Sequence, residues 1–390
     1  MRLGIEASNL RAGGGITHLA ELLRAAEPER HGFSQVIVWA GAGTLRSLPE
    51  RAWLVSSNPH GPGPGTTWVR RALWQRRGVA AAARAAGCNI LFAPGGSYIG
   101  SFRPFVTMSR NMQPFEPREL RRHGWSPMAL RLHLLRRVQA DAFRRADGLI
   151  FLTHYARDVI SALVKPLPEM TAIIPHGVDT RFLQPPRPQL PLAHYGNGRP
   201  FRILYVSIIN LYKHQWHVAE AVARLRSEGL PVTLDLVGPA YRPALARLNA
   251  TLLRVDPGAQ YIRYRGAMER TALPAQYADA DLCLFASSCE NMPNILLEGM
   301  ASGLPVACSR RGPMPEVLGP AGVYFDPEDP LDIAAAVRTL VQSAELRGKL
   351  ASESFARAQG YSWNRCASET FEFLAQVARR SASPRQHLRR

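Results

Sequence analysis

The sequence predicts an α/β protein with two parallel sheets, and three observations carry that prediction. Short apolar runs alternate with helix-patterned segments along nearly the whole chain, as in βαβ units whose sheets are covered on both faces. The proline- and glycine-rich stretch RFLQPPRPQLPLAHYGNGRP (181–200) continues neither periodicity and separates two halves. With 390 residues, 46% of them hydrophobic, the chain is long enough for two sizeable cores and a cleft.

Taken in order, strands are expected at MRLGIEAS, SQVIVWA, NILFAPG, FVTMS, GLIFLT and TAIIP. In the second half they are expected at FRILYVS, VTLDLVG, YIRYRG, DLCLFAS, LPVACS and GVYFD. The expected domains run over 1–190 and 201–360 with a linker over 181–200. Helical segments span about Leu331 to Ala358, a last helix covers 361–380, and 381–390 form a basic tail.

Lys and Arg outnumber Asp and Glu by 48 to 30, a formal charge of +18. Phosphates, anionic lipid surfaces and nucleic acid are all attracted by such a chain. Cys88, Cys283, Cys289, Cys308 and Cys366 show no CxxC spacing and read as reduced packing residues, not as a disulfide or zinc frame. Glu6 interrupts the apolar start that a signal peptide needs, and no run approaches the roughly 18 apolar residues of a membrane span. The expected location is therefore cytoplasmic.

Ligands of open parallel sheets bind beyond the carboxyl ends of the strands, so the strand-to-helix loops are where chemistry is sought. The first unusual loop, NLRAGGGITHLAELL, sets Gly13, Gly14 and Gly15 before a helix expected to begin near Ile16. Consecutive glycines admit a bulky anion to backbone N–H groups at a helix amino end; a flexible turn would look the same. The loop matches neither GxGxxG nor a P-loop. The second, IINLYKHQWHVAEAV, sets Lys213 just ahead of a helix, where an ammonium opposes the macrodipole unless an anion compensates it. A solvated surface lysine is the alternative. His214 and His217 lie three apart without an evident third metal ligand.

The third loop lies in CENMPNILLEGMASGLPVACS, with Glu290 at the end of a buried strand and Glu298 in the early turns of the next helix, both free to face a cleft. Such a carboxylate can accept the paired hydroxyls of a ribose, or simply cap the helix and complement its dipole.

The surroundings of these two acids resemble the retaining glycosyltransferases of family 4, the group 1 glycosyl transferases. Glu290, NMPNILL, Glu298, GMAS and then Gly303-Leu304-Pro305-Val306 are similar to that family's pattern of two Glu with seven residues between them. YADADLCLFASSCE, Gly238, GVYFDPEDP, YSW and IIPHGVD resemble its neighbouring passages. The resemblance implies the GT-B architecture: two Rossmann-like, doubly wound domains facing a central cleft, with the last helix crossing back to the first domain. It also implies transfer of a hexose from a nucleotide-diphosphate sugar without cofactor or catalytic metal. A diphosphate oxygen would assist deprotonation of the acceptor on the leaving group's own face.

By the same resemblance Glu298 would bind the ribose, Glu290 the sugar hydroxyls and Lys213 the diphosphate. Gly14 and Gly15 would approach the phosphate from the other domain. The backbone of Gly266, Ala267 and Met268 would hold the base, and Asn291, Met292 and Asn294 would complete the donor side. The sequence departs from the family in three places. Asn291-Met292-Pro293 stands where Gly-Phe-Gly is usual, Ile208 where an Arg usually precedes the Lys, and Ser109-Arg110-Asn111 where many members have a His. His154 and His176 read as loop residues. Asp279-Ala280-Asp281 looks like a metal-binding DxD but falls at a helix-to-strand junction away from the expected cleft.

Arg110, Asn111, Arg121 and Arg122 are expected on the acceptor or membrane side. The segment RELRRHGWSPMALRLHLLRRVQADAFRRAD reads either as a solvated helix face or as a surface for anionic lipid and a lipid-linked acceptor. The expected partners are a nucleotide-sugar donor, a saccharide or lipid-linked acceptor and an anionic membrane surface. The expected role is cell-envelope polysaccharide synthesis (O-antigen, capsule or exopolysaccharide) at the inner face of the plasma membrane. Nucleic acid is not expected, because no helix-turn-helix, zinc or aromatic RNA-binding motif is present. Two alternatives stay open: a nucleotide-sugar 2-epimerase of the same fold, which would need no acceptor, and a non-enzymatic nucleic-acid-binding protein, which the charge alone would suit.

Overall fold

The strands β1 (Arg2–Glu6), β2 (Gln35–Trp39), β3 (Leu54–Ser57), β4 (Ile90–Ala93), β5 (Phe105–Met108), β6 (Gly148–Phe151) and β7 (Met170–Ile173) form one sheet, in the order β3-β2-β1-β4-β5-β6-β7. Every pairing is parallel, with Gly4 of β1 opposite Ile37 on one side and Leu91 on the other. A second parallel sheet contains β8 (Phe201–Val206), β9 (Val232–Val237), β10 (Ile262–Tyr264), β11 (Leu282–Phe285), β12 (Val306–Ser309) and β13 (Val323–Phe325), in the order β10-β9-β8-β11-β12-β13. Each order reverses beside its first strand. The resulting switch points, between β1 and β4 and between β8 and β11, are where doubly wound sheets open a crevice for ligands.

The computed structural model describes residues 1–10, 13–59 and 68–382; Arg11, Ala12 and most of the expected basic tail lie outside them. All twelve strands expected from the sequence are present, and β3 is an addition. The signal for β3 is weak because it is a half-exposed edge strand with two serines, whereas β4, β5, β6, β11 and β12 are buried at every residue and so read as unbroken apolar runs. Among the described residues no helix is long and apolar enough to cross a membrane.

The chain divides into two units, one of residues 1–177 with the segment from Ser362 onward, the other Val178–Tyr361. In the first, the helix Trp363–Ala382 buries Phe371, Leu374 and Val377 and packs against the helix Gly14–Ala25 and β4. The expected linker is not a separator: residues 181–200 belong to the second unit. Gln184 N donates to Ala301 O at 2.9 Å, Arg187 donates to the carbonyls of Ala278 and Ala280, and Arg347 donates to Leu190 O. Prolines announce that a stretch is neither helix nor strand, but its carbonyls still accept hydrogen bonds. The division accordingly falls at Gly177–Val178 and not near residue 190.

Candidate active site

In the second unit the site is assembled from the loops that follow β8 and β11. After β8, Asn210 caps a tight turn over Leu211–Lys213 by accepting from Leu211 N at 2.7 Å, and His214 (φ 53°) turns the chain into the helix Gln215–Ser227. Buried Tyr205 donates its hydroxyl to Lys213 O at 2.7 Å. The loop after β11 is tied to this turn by Ser288 N to Tyr212 O at 2.9 Å and by Ser288 Oγ against His214 Nε2 at 2.9 Å. These bonds bring together the two residues expected to be catalytic. Lys213 Nζ pairs with a Glu290 carboxylate oxygen and lies 4.7 Å from the centre of the Phe285 ring.

Lys213 is only 5% exposed, which excludes a solvated surface lysine. Its position near a helix start is compensated, as the sequence demands, but by Glu290 from the same unit. A buried ammonium needs such a partner, because the Coulomb attraction must offset the lost hydration. Ile208, where the resemblance calls for an Arg, is partly exposed beside this turn and contributes no charge.

β9 is followed by Gly238, where a Cβ would collide with the Ser207 carbonyl and φ is +146°, so only glycine lets the two loops approach this closely. Gly238 N donates to Gly266 O at 2.8 Å, which places Gly266, Ala267 and Met268 at the carboxyl end of β10, next to the β8 and β9 loops.

Pro293 precedes the helix Asn294–Ala301 as its cap; Asn291 and Met292 are buried just before it. Glu298 is only 3% exposed, which corrects the expectation that it faces an open cleft. Its Oε1 lies 3.2 Å from Arg270 Nη2, and its Oε2 has no hydrogen-bond partner. Burial pushes the carboxyl up to about 7; Arg270 opposes the shift and Asp179 adds to it. Arg270 opens the short turn Arg270–Ala272 just after Met268. Sequence reasoning missed it, since nothing in the spacing links a residue of this turn to one inside a later helix.

In the first unit the helix Gly14–Ala25 starts at Gly14, earlier than expected, with Gly13 (φ 68°) as its cap. Gly14 and Gly15 are therefore first-turn residues. Arg110 donates to Gly14 O at 2.7 Å and to Gly15 O at 3.3 Å. Arg110 thus braces the glycine turn. Asn111 is likewise structural, its Oδ1 accepting from Gln113 N at 3.0 Å. Arg122 pairs with Glu119 at 2.8 Å, whereas Arg121 is exposed.

His176, expected in a loop, is buried with its ring 4.6 Å from that of His18 and 5.7 Å from Trp363. Burial holds the His18 imidazole well below its ordinary range, hence neutral. His217 Nδ1 hydrogen-bonds Pro327 O at 3.1 Å, and Asp281 accepts from Tyr195 Oη at 3.0 Å and Arg202 N at 2.9 Å, so the DxD-like triplet braces a strand start. Among the described residues no group of three or more His, Cys, Asp or Glu could hold a metal ion. A cavity of about 650 Å³ is lined by Arg199, Arg202, Arg226 and Arg263, but it opens at the amino ends of the strands, opposite Lys213 and Glu290.

Residues 200–343 match the family model described as Glycosyl transferases group 1. Over 110 residues the chain is 34% identical to the O-antigen chain mannosyltransferase B of Escherichia coli, covering 28% of this chain and 29% of that protein. The match thus spans less than a third of that relative's length. The fold is similar to sucrose-phosphate synthase from Thermosynechococcus elongatus, with a TM-score of 0.74 and 16% identity over 96% of this chain and 98% of that one. It is also similar to Anabaena HepE in complex with UDP and glucose, with a TM-score of 0.68 and 18% identity over 95% and 99% of the two chains. With two doubly wound parallel sheets the chain has the GT-B fold, and across the second sheet residues 200–343 match the group 1 glycosyl transferases.

Proposed function

We propose that the protein is a retaining, metal-independent hexosyltransferase that moves a sugar from a nucleotide-diphosphate sugar to a lipid-linked saccharide in envelope polysaccharide synthesis. The observation that carries this reading is the meeting of Lys213 and Glu290 at the β8/β11 switch point, with the half-partnered carboxylate of Glu298 in the helix that follows. In this reading Glu290 holds hydroxyls of the donor sugar and Glu298 the ribose. Lys213 opposes the negative charge that grows on the departing diphosphate. The bond from the anomeric carbon to the diphosphate breaks, the acceptor oxygen bonds the same carbon on the same face, and the acceptor proton passes to a diphosphate oxygen. The protein's part is positioning and charge stabilisation, which need no protein nucleophile.

Two further observations support the substrates and the place of action. One relative is named as an O-antigen mannosyltransferase, and one structural neighbour is bound to UDP and glucose. In the first unit, the helix Pro127–Arg145 leaves Leu130, Leu134 and Val138 exposed at four-residue spacing, with Trp125 fully exposed ahead of it. Exposed Arg121, Arg131 and Arg137 flank this stripe. An apolar stripe bordered by guanidinium groups is what docking on an anionic bilayer's cytoplasmic face requires.

The test is incubation with labelled GDP-mannose and UDP-glucose, with and without a lipid extract from envelope-forming bacteria. Label should enter the organic phase only with extract, in a linkage that keeps the donor's anomeric configuration. Sugar released equally in both arms, or an inverted linkage, would refute the proposal.

A further inference from the structure

We infer that Arg270 is a positioning residue for nucleotide binding: it grips one oxygen of Glu298 and leaves the other for a ribose hydroxyl. The inference rests on the reading that Glu298 holds the ribose. It starts from a buried carboxylate with one oxygen 3.2 Å from a guanidinium and the other without any partner. A buried acceptor left unpaired costs about 1–3 kcal/mol, so the bare Oε2 marks a place where a donor from outside the chain belongs. Arg270 Nε is unpaired as well.

Arg270 is itself fixed on three sides. Its guanidinium lies 5.6 Å from the centre of the Phe182 ring, 3.7 Å from Asp179 and 3.2 Å from Glu298. Asp179 is in turn gripped by Arg181 at 2.6 Å. The loop of Gly266, Ala267 and Met268 leads directly into Arg270, so the segment proposed to hold the base also supplies the guanidinium that orients the ribose acceptor.

The charges around Glu298 make the guanidinium decisive. Burial pushes the carboxyl up to about 7 even with Arg270 in place; Asp179 raises it further and Arg181 lowers it. Burial holds Tyr277 and Cys283 neutral beside it. On the helix Ala344–Ala358, which packs against its helix, Arg347 and Arg357 donate to backbone carbonyls, Glu353 is half-buried, and Glu345 and Lys349 are exposed; Glu316 is half-buried on the helix Met314–Leu318. Arg270 is therefore the cation in contact with the carboxylate. Without it Glu298 takes up a proton near neutrality, and a protonated carboxyl is a much weaker acceptor for the ribose hydroxyl than the carboxylate.

The experiment measures UDP, GDP and ADP binding by calorimetry from pH 5.5 to 8.5 for the wild type, Arg270→Met, Arg270→Lys and Glu298→Gln. Because the carboxylate form binds, wild-type affinity should rise with pH through about 7 and then level off. Arg270→Met should bind roughly tenfold or more weakly at pH 7, with its rise displaced to higher pH. Arg270→Lys should fall between the two, and Glu298→Gln should abolish the pH dependence. Wild-type affinity and an unmoved pH midpoint in both Arg270 variants, with Glu298→Gln still weakened, would overturn the positioning role while leaving the ribose reading intact. Unchanged nucleotide affinity in Glu298→Gln would overturn the ribose reading and this inference with it. If Arg270→Met does not fold, Arg270→Lys decides, since it keeps the charge but loses the planar fork.

Discussion

Glu6 and Glu298 are both buried carboxylates near a switch point of a doubly wound sheet, and their partners differ completely. Glu6, 1% exposed at the end of β1, accepts from Ser8 N at 3.1 Å, Ser8 Oγ, Trp74 Nε1 at 3.0 Å and Gln75 Nε2 at 3.2 Å. Burial pushes its carboxyl up, and these donors pull it back. Glu298 has one guanidinium on one oxygen and nothing on the other. A carboxylate whose acceptor sites are filled from its own chain ties β1 to the segment around Trp74; one left half-filled is poised for a ligand. A similar contrast separates the loops that follow the first strand of each sheet. In the first unit Arg110 is committed to Gly14 and Gly15 carbonyls, while in the second Lys213 is held by a single carboxylate that a diphosphate could displace.

The largest expected effect tests the second unit. Lys213→Ala should transfer sugar about 10²- to 10³-fold more slowly, with nucleotide-sugar still bound, and Lys213→Arg should recover part of the loss. Because the alanine strands the partly buried Glu290, Lys213→Ala paired with Glu290→Gln should be more stable in urea than Lys213→Ala alone. Near-normal turnover in Lys213→Ala would break the contrast, since another cation would then serve the diphosphate.

Glu6→Ala comes next. Orphaning the Trp74 and Gln75 donors should cost roughly 2–3 kcal/mol of stability in urea unfolding, and nucleotide affinity should be unaffected. Glu298→Ala should do the reverse, weakening nucleotide binding by roughly 1.5–3 kcal/mol in a protein that stays folded. Equal destabilisation by the two substitutions would show that both carboxylates are structural.

The smallest effect concerns the surface. Arg121→Ser and Arg131→Ser should each reduce binding to vesicles containing phosphatidylserine by about 1 kcal/mol, and the wild-type binding should weaken as salt rises. Arg122→Ser should matter less, because that guanidinium is paired with Glu119. Vesicle binding indifferent to both salt and anionic lipid would remove the membrane from the proposal.

The sequence by itself determined the two parallel sheets, because strands buried on both faces must be written as apolar runs such as LCLF and VACS, and this bookkeeping survives without any knowledge of tertiary contacts. It also placed Lys213 and Glu290 on loops at strand ends. It could not show that they pair, since residues 77 apart meet only when β8 and β11 become neighbours across the switch point. The half-exposed β3, the hydrogen-bonded course of 184–190, the burial of His176 against His18, and Arg110 beneath the glycine turn were hidden for the same reason. Hydropathy records how much surface a residue loses, whereas the partner that compensates a buried charge is chosen by where the rest of the chain comes to lie. Arg270 is the sharpest instance: nothing local in its sequence distinguishes it from the protein's many surface arginines, and only the fold sets it against Glu298.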